Sequence, residues 1–342
     1  MAATMSDVAA RAGVSVKTVS NFFNDYKYMR PETRARIEAA VVELDYRMNR
    51  SARALRSGRT NMIALVLPEL DHSYFAQLAQ EIIDAADERG LTVIVETTRG
   101  RRDRELAAVT GVAGQFVDGA IYGPVALGPA DAVLIDRAFP LVVIGERLVQ
   151  ELGDHVLIAD LEVARTAVEH LVDQGRQRIV LLGVNDLPEP RGAALRRRGA
   201  EQALAEAGLA IDDDLAVPVS AWHRQDGADA ISDLLDRGIP FDAVFGFNDA
   251  LALGAQWELQ RRGLRVPDDV AVIGVDDTED GRFAQPPLTT ISPGRQSIAR
   301  HSVDLLVRRI EGAAPTPAFS TVVMPHRLVV RESTMKTGDT QR

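Results

Sequence analysis

Val16, Lys17 and Asn21 project from one short amphipathic pattern, on the side away from its apolar residues. A branched methyl, a cation and an amide can each read the edge of a base: Val16 a thymine methyl, Lys17 a guanine, Asn21 an adenine. A second set of groups sits where apolar runs end: Asp71, Tyr74, Phe75, Glu146, Arg196, Trp222, Asn248 and Asp276. Carboxylates, an amide and a guanidinium bind vicinal hydroxyls bidentately. Aromatic faces stack on the C–H side of a sugar ring. The first set suits a nucleic acid, the second a small polar ligand.

The elements that must position the first set lie in residues 5–24. Ser6 is expected to cap a first helix, with Asp7 suiting its positive end. Val8, Ala9 and Ala12 recur at helical spacing, and Gly13 supplies a turn that needs φ > 0. Ser15 can cap a second helix whose inner face carries Val19, Phe22 and Phe23. A small residue, a turn glycine and a buried β-branched residue six positions on have the spacing of a helix-turn-helix, whose second helix enters the DNA major groove. A helical bundle that touches no nucleic acid has the same first motif.

The chain of 342 residues is 46% hydrophobic, enough for two or three packed domains. No apolar run approaches a membrane span, no signal peptide is read at the N-terminus, and no membrane partner is expected. Cysteine is absent, which excludes disulfides, thiolate metal sites and thiol chemistry. A cytoplasmic location is the simplest reading. The net charge is −10, unevenly spread. The first 60 residues hold 11 Lys and Arg against 6 Asp and Glu, and the rest hold 28 against 43. A basic head on an acidic body implies that only the head meets a polyanion.

Pro31 and Glu32 fit the first turn of a third helix, with Ile37, Ala40, Val41 and Leu44 as its apolar stripe and Tyr46 closing the core. Residues 49–60 follow, with Asn49 as a cap, Arg50, Arg53, Arg56 and Arg59, and Leu55 as the one large apolar side chain. So short and charged a helix is not stable alone. It reads either as a basic linker or as a segment that folds on DNA. In the second case Ala52, Leu55 and Arg56 enter the minor groove, with Leu55 as a wedge between base steps. Ser15, Thr18, Ser20, Arg30, Arg34, Arg50 and Arg53 are the expected phosphate partners.

Residues 4–60 resemble the DNA-binding head and hinge of the lactose-repressor (LacI/GalR) family of bacterial regulators. DVAARAGVSVKTVS, Asn24, Arg30 to Arg34, Leu44-Asp45-Tyr46, Asn49 and Ala52 to Leu55 carry the likeness. Asn21 stands where many members place a base-reading arginine, which implies a different operator. Met48 stands where many have a proline before the hinge asparagine.

From residue 61 onward, short apolar runs alternate with amphipathic stretches, several ending at glycine: Gly90, Gly175, Gly208, Gly238 and Gly263. Two such series imply two α/β lobes with parallel sheets covered on both faces, and a ligand site beyond the strand ends, between the lobes. This body resembles the periplasmic-binding-protein-like core of the same family, carried by residues 248–254, 274–277 and 287–291. The resemblance implies a head at 1–48, a hinge at 49–60, one lobe at 61–158 plus 293–319, a second at 162–288 plus 325–334, and a disordered tail at 335–342. Crossings are expected near 159–161, 289–292 and 320–324. It also implies that Arg196, Asn248 and Asp276 bind the effector, with Trp222 as an aromatic wall and Tyr74 and Phe75 opposite. Phe75 also reads as core, Asp276 as a turn cap and Asn248 as a helix cap. Arg147 and Asp277 read as surface or lobe-closing groups. Gly145 stands where relatives place an aspartate; either Glu146 supplies that acid or the ligand lacks the matching hydroxyl.

No enzyme is read here. The six histidines are scattered without metal-ligand spacing, and there is no GxSxG elbow, phosphate loop or Rossmann glycine triplet. No metal or cofactor is expected. The expected protein is a homodimeric repressor of a palindromic operator, controlled by a small-molecule effector, for which a sugar is expected. The alternatives are a constitutive DNA-bending protein whose core only dimerises, and a corepressor-dependent, nucleoside-responsive regulator.

Overall fold

The computed structural model describes residues 3–23, 26, 28–46, 59–110, 116–135, 139–145, 153–185, 192–210, 212–312 and 319–335. The chain divides into two compact units, Met1–Thr60 and Asn61–Arg342.

In the first unit three helices, α1 (Met5–Ala12), α2 (Val16–Phe23) and α3 (Pro31–Glu43), close on Val8, Ala9, Ala12, Val19, Ile37, Ala40 and Tyr46. Thr4, and not Ser6, caps α1. Its hydroxyl accepts from the Asp7 N–H while the Asp7 carboxylate accepts from the Thr4 N–H. This reciprocal pair satisfies two backbone donors at once, whereas Ser6 lies inside the helix. Gly13 holds φ 63 at the turn, a conformation that a side chain would strain.

The second unit holds two six-stranded sheets. Its strands are β1 (Met62–Leu67), β2 (Thr92–Thr97), β3 (Gly119–Tyr122), β4 (Leu141–Ile144), β5 (Asp154–Ile158), β6 (Ile179–Val184), β7 (Ala216–Pro218), β8 (Ala243–Gly246), β9 (Ala271–Val275), β10 (Thr289–Ser292), β11 (Thr321–Met324) and β12 (Arg327–Val329). The first sheet runs β11-β5-β4-β3-β1-β2 and the second β12-β10-β9-β8-β6-β7. All pairings are parallel except β10 with β12, an antiparallel edge that the parallel reading did not include. The central strands β6 and β9 are buried along their whole length and β1 in all but its first residue, because helices cover both faces, which is why they read as continuous apolar runs. Residues 289–292 and 321–324, expected as crossing segments, are themselves sheet strands. The chain passes between the sheets just after β5, β10 and β11.

Helices α4 (Ser73–Asp87), α5 (Arg102–Thr110), α6 (Asp160–Asp173), α7 (Gly192–Glu206), α8 (Arg224–Asp236), α9 (Asp249–Arg261), α10 (Glu279–Arg282) and α11 (Arg295–Ile310) complete the core unit. The five glycines read as helix stops all hold positive φ. Helices α8 and α9 touch backbone to backbone. A Cβ on Gly254 would lie 1.8 Å from the Arg224 carbonyl oxygen, and one on Gly227 would lie 2.2 Å from that of Leu251. Neither backbone atom can yield as a flexible side chain would. Gly254→Ala is therefore expected to force the helices apart at a cost of about 1–3 kcal/mol. A lower urea midpoint at unchanged slope would show it, and an unchanged midpoint would mean that the helices adjust freely.

Candidate functional site

The head presents one face of α2. Val19, Phe22 and Phe23 turn inward, so Lys17 and Asn21 turn outward, with Val16 and Ser20 on one flank and Thr18 on the other. Lys17 is exposed, Val16 is 41% exposed, and Ser20 and Asn21 are half-buried. Ser15 caps the helix: its Oγ accepts from the Thr18 N–H at 3.1 Å and lies 2.8 Å from the Thr18 hydroxyl. Arg30 is exposed at the start of α3 and makes no side-chain cap. The Arg34 guanidinium lies over the Phe22 ring at 5.5 Å. The expected minor-groove residues Ala52, Leu55 and Arg56 and the phosphate partners Arg50 and Arg53 lie outside the described residues. So do Met48, Glu146, Arg147 and the tail beyond residue 335.

In the core a cleft of about 550 Å³ opens between the sheets, lined from both lobes. The first lobe contributes Glu69, His72, Tyr74 and Phe75, from the end of β1 and the start of α4. Tyr74 is buried, and its hydroxyl has no partner among the described residues. Burial, and next the Asp276 carboxyl group, push its pKa up. Phe75 is half-buried, with its ring centroid 5.4 Å from that of Tyr74 and 5.3 Å from that of His72. Asp71 is exposed and does not line the cleft; it is His72, the next residue, that turns in.

The second lobe contributes Asn185, Arg196, Trp222, His223, Asn248 and Asp276. Arg196, on α7, is 6% exposed; its Nε donates to Asp160 Oδ1 at 2.7 Å and a second nitrogen donates to the Phe247 carbonyl. Its guanidinium lies 5.5 Å from the Trp222 ring centroid. Asn248 combines two roles that the sequence left as alternatives. Its Oδ1 caps α9 by accepting from the Leu251 N–H at 2.8 Å, while its Nδ2 faces the Trp222 carbonyl and His72 Nε2, each at 2.9 Å.

Asp276 is buried at φ 124, followed by Asp277 at φ 54. In this left-handed turn the two carboxyls part. Asp276 lines the cleft, whereas Asp277 pairs with Arg331 at 2.6 Å. Burial, and next the Asp249 carboxylate, hold Asp276 well above the usual carboxylate range, against the pull of Arg196 and Arg295. Its neutral form can donate as well as accept.

Sequence reasoning missed Glu69, His72, Asn185 and His223. The two histidines are far apart in sequence, yet their ring centroids lie 6.1 Å apart, and His223 Nε2 lies 3.5 Å from Glu69. Asn185 follows β6 directly, so the strand-end rule that found Asn248 would have found it too.

Against known proteins, a model described as bacterial regulatory proteins, lacI family, matches residues 4–49. A periplasmic binding protein-like domain matches residues 168–334. HTH-type transcriptional regulator CelR of Thermobifida fusca is 34% identical over 340 residues, covering 96% of this chain and 98% of that one. The chain belongs to the LacI family. A solved complex of the transcriptional regulator CelR with cellobiose covers 97% of this chain and 99% of that one, at 31% identity and TM-score 0.71. The Lac repressor dimer bound to operator and an anti-inducer covers 98% of this chain and 100% of that one, at 30% identity and TM-score 0.80. As a LacI-family member the chain is an effector-controlled, DNA-binding transcriptional regulator and not an enzyme. A constitutive DNA-bending role for it gives way to that reading.

Proposed function

We propose that the protein is a dimeric repressor of a near-palindromic operator, released when a neutral, polyhydroxylated sugar binds between its lobes. The carrying observation is the polarity of the cleft. The Tyr74 hydroxyl and Asn185 Oδ1 are buried there without partners among the described residues, and such groups cost free energy until a ligand satisfies them. Phe75 and Trp222 offer an aromatic face from each lobe. The charge of Arg196 is already neutralised by Asp160. Asp276, held neutral by burial, can donate to and accept from a sugar hydroxyl, which suits a neutral polyol. CelR, solved with cellobiose, supports the choice of a sugar.

In this reading Val16, Lys17 and Asn21 read bases, and Ser15, Thr18, Ser20, Arg30 and Arg34 meet phosphates, joined by Arg50 and Arg53 of the hinge. Ala52, Leu55 and Arg56 enter the minor groove, and Leu55 opens a base step. Sugar binding favours a lobe arrangement in which the paired heads no longer match two half-sites. The protein works in the cytoplasm, on the nucleoid when bound.

The test is a titration of the full chain carrying Trp257→Phe, which leaves Trp222 as the only tryptophan. Neutral mono- and disaccharides, sugar phosphates and nucleosides are each added, and operator binding is measured at one salt concentration. A neutral sugar should change Trp222 fluorescence and weaken operator binding by about 5–150-fold, the usual range of two-site coupling. Release by a nucleoside or a sugar phosphate alone would overturn the effector assignment. Tighter operator binding with sugar would overturn induction.

A further inference from the structure

The surrounding network dictates where His72 carries its proton. Asn248 fixes it. The Leu251 N–H needs an acceptor at the N-terminus of α9, and Asn248 Oδ1 supplies it at 2.8 Å. That contact sets the orientation of the amide, so the group facing His72 is the NH2. Asn248 Nδ2 donates to the Trp222 carbonyl and lies 2.9 Å from His72 Nε2. An NH2 group cannot accept, so Nε2 must. A neutral imidazole that accepts at Nε2 carries its hydrogen on Nδ1. His72 Nδ1 is buried without a partner among the described residues, and His72 lines the cleft.

We infer that Asn248 locks His72 across the cleft as the neutral Nδ1–H tautomer, and that this N–H is a specificity-determining donor to an acceptor oxygen of the effector. The lock joins the two lobes, since His72 precedes α4 in the first and Asn248 begins α9 in the second. Donor selection and lobe apposition therefore meet in one side chain.

The neutral state follows from the groups around the ring. Burial lowers the His72 pKa first, followed by His223 and then Arg224 at the start of α8. The Trp222 carbonyl and Asp71 act in the opposite direction. Glu69, on the same loop, sits 3.5 Å from His223. A site that donates at His72 discriminates against ligands lacking an acceptor there, because a buried donor would stay unpaired.

This inference rests on the effector reading only for its last step, and the experiment separates the two. The full-length protein, labelled with 13C and 15N in histidine and free of effector, is examined by NMR at pH 7.5, with His72 assigned from its loss in His72→Gln. The Nδ1 resonance should fall in the protonated range and Nε2 in the unprotonated range. In Asn248→Ser, which keeps a helix cap but removes the NH2 donor, the proton should move to Nε2. An Nε2–H or doubly protonated ring in the wild type, or no change in Asn248→Ser, overturns the lock.

Binding of the sugar that changes Trp222 fluorescence tests the donor. His72→Gln can place a carbonyl where Nε2 stood, keeping the link to Asn248 but losing the cleft donor; it should bind about tenfold more weakly. His72→Asn can place an NH2 where Nδ1–H stood and should stay within about threefold of wild type. Equal losses in both variants overturn the donor role, even with the tautomer confirmed.

Discussion

Asp160→Ala is expected to destabilise the core unit by about 3–5 kcal/mol and to abolish the effector response. Asp160 is 4% exposed and Arg196 is 6% exposed, and their Nε–Oδ1 contact is 2.7 Å. Removing the carboxylate strands a guanidinium in low dielectric, with the Phe247 carbonyl as its remaining described hydrogen-bond acceptor. That cost is much larger than the net value of the pair, because two charges had to be desolvated to form it. The double variant Asp160→Leu with Arg196→Met should therefore recover most of the lost stability, since no buried charge remains. It should not recover the response, because Arg196 also lies against Trp222 in the cleft. Urea unfolding of both variants, read beside sugar titration with operator bound, separates the two effects. A loss below 1 kcal/mol in Asp160→Ala would mean that water reaches the pair.

The same ion pair shows what the sequence could disclose. β1 and β4 are legible to the residue, because a strand covered on both faces is a continuous apolar run. Helix ends at glycine are legible too, because few other residues hold a left-handed C-terminal turn without strain. The helix starts are less so. Apolar periodicity begins at Phe75, Ala164, Arg196 and Gly227, yet the helices begin earlier, at Ser73, Asp160, Gly192 and Arg224. Those first turns include Asp160 and Tyr74, whose polar groups serve the cleft and interrupt the apolar pattern. Strand-end reasoning found Asn248 and Asp276 because it needs only order along the chain, whereas Arg196 lies inside α7 and was reached through the family resemblance. It chose Asp71 over His72 because side-chain direction in a loop leaves no periodic trace. His72 and His223 meet only when the two lobes face each other. The Asn248 orientation depends on the Leu251 N–H, a backbone donor that the sequence does not display.

Lys17→Ala should weaken operator binding by about 1–3 kcal/mol in each half-site, and so by about 2–6 kcal/mol for a dimer on a symmetric operator. The loss should be concentrated at one base position, where the variant stops preferring guanine. The side chain is exposed on the outward face of α2 and absent from the head core, so the head should melt as in the wild type. Arg30→Ala is the contrasting variant. It is also exposed, it makes no side-chain cap on α3, and its proposed partner is a phosphate. Its loss should lower affinity for all sequences alike and reduce the salt slope by about one per head, with the base preferences intact. Binding of both variants to a library of single-base operator changes, at two salt concentrations, distinguishes reading from positioning. If Lys17→Ala weakens every sequence equally, Lys17 is a phosphate contact. Base discrimination on α2 would then fall to Asn21 and Val16, an amide for adenine and a methyl contact for thymine. Such a head would prefer A·T-rich half-sites, so the pattern of tolerated substitutions across the library would itself assign the reading residues.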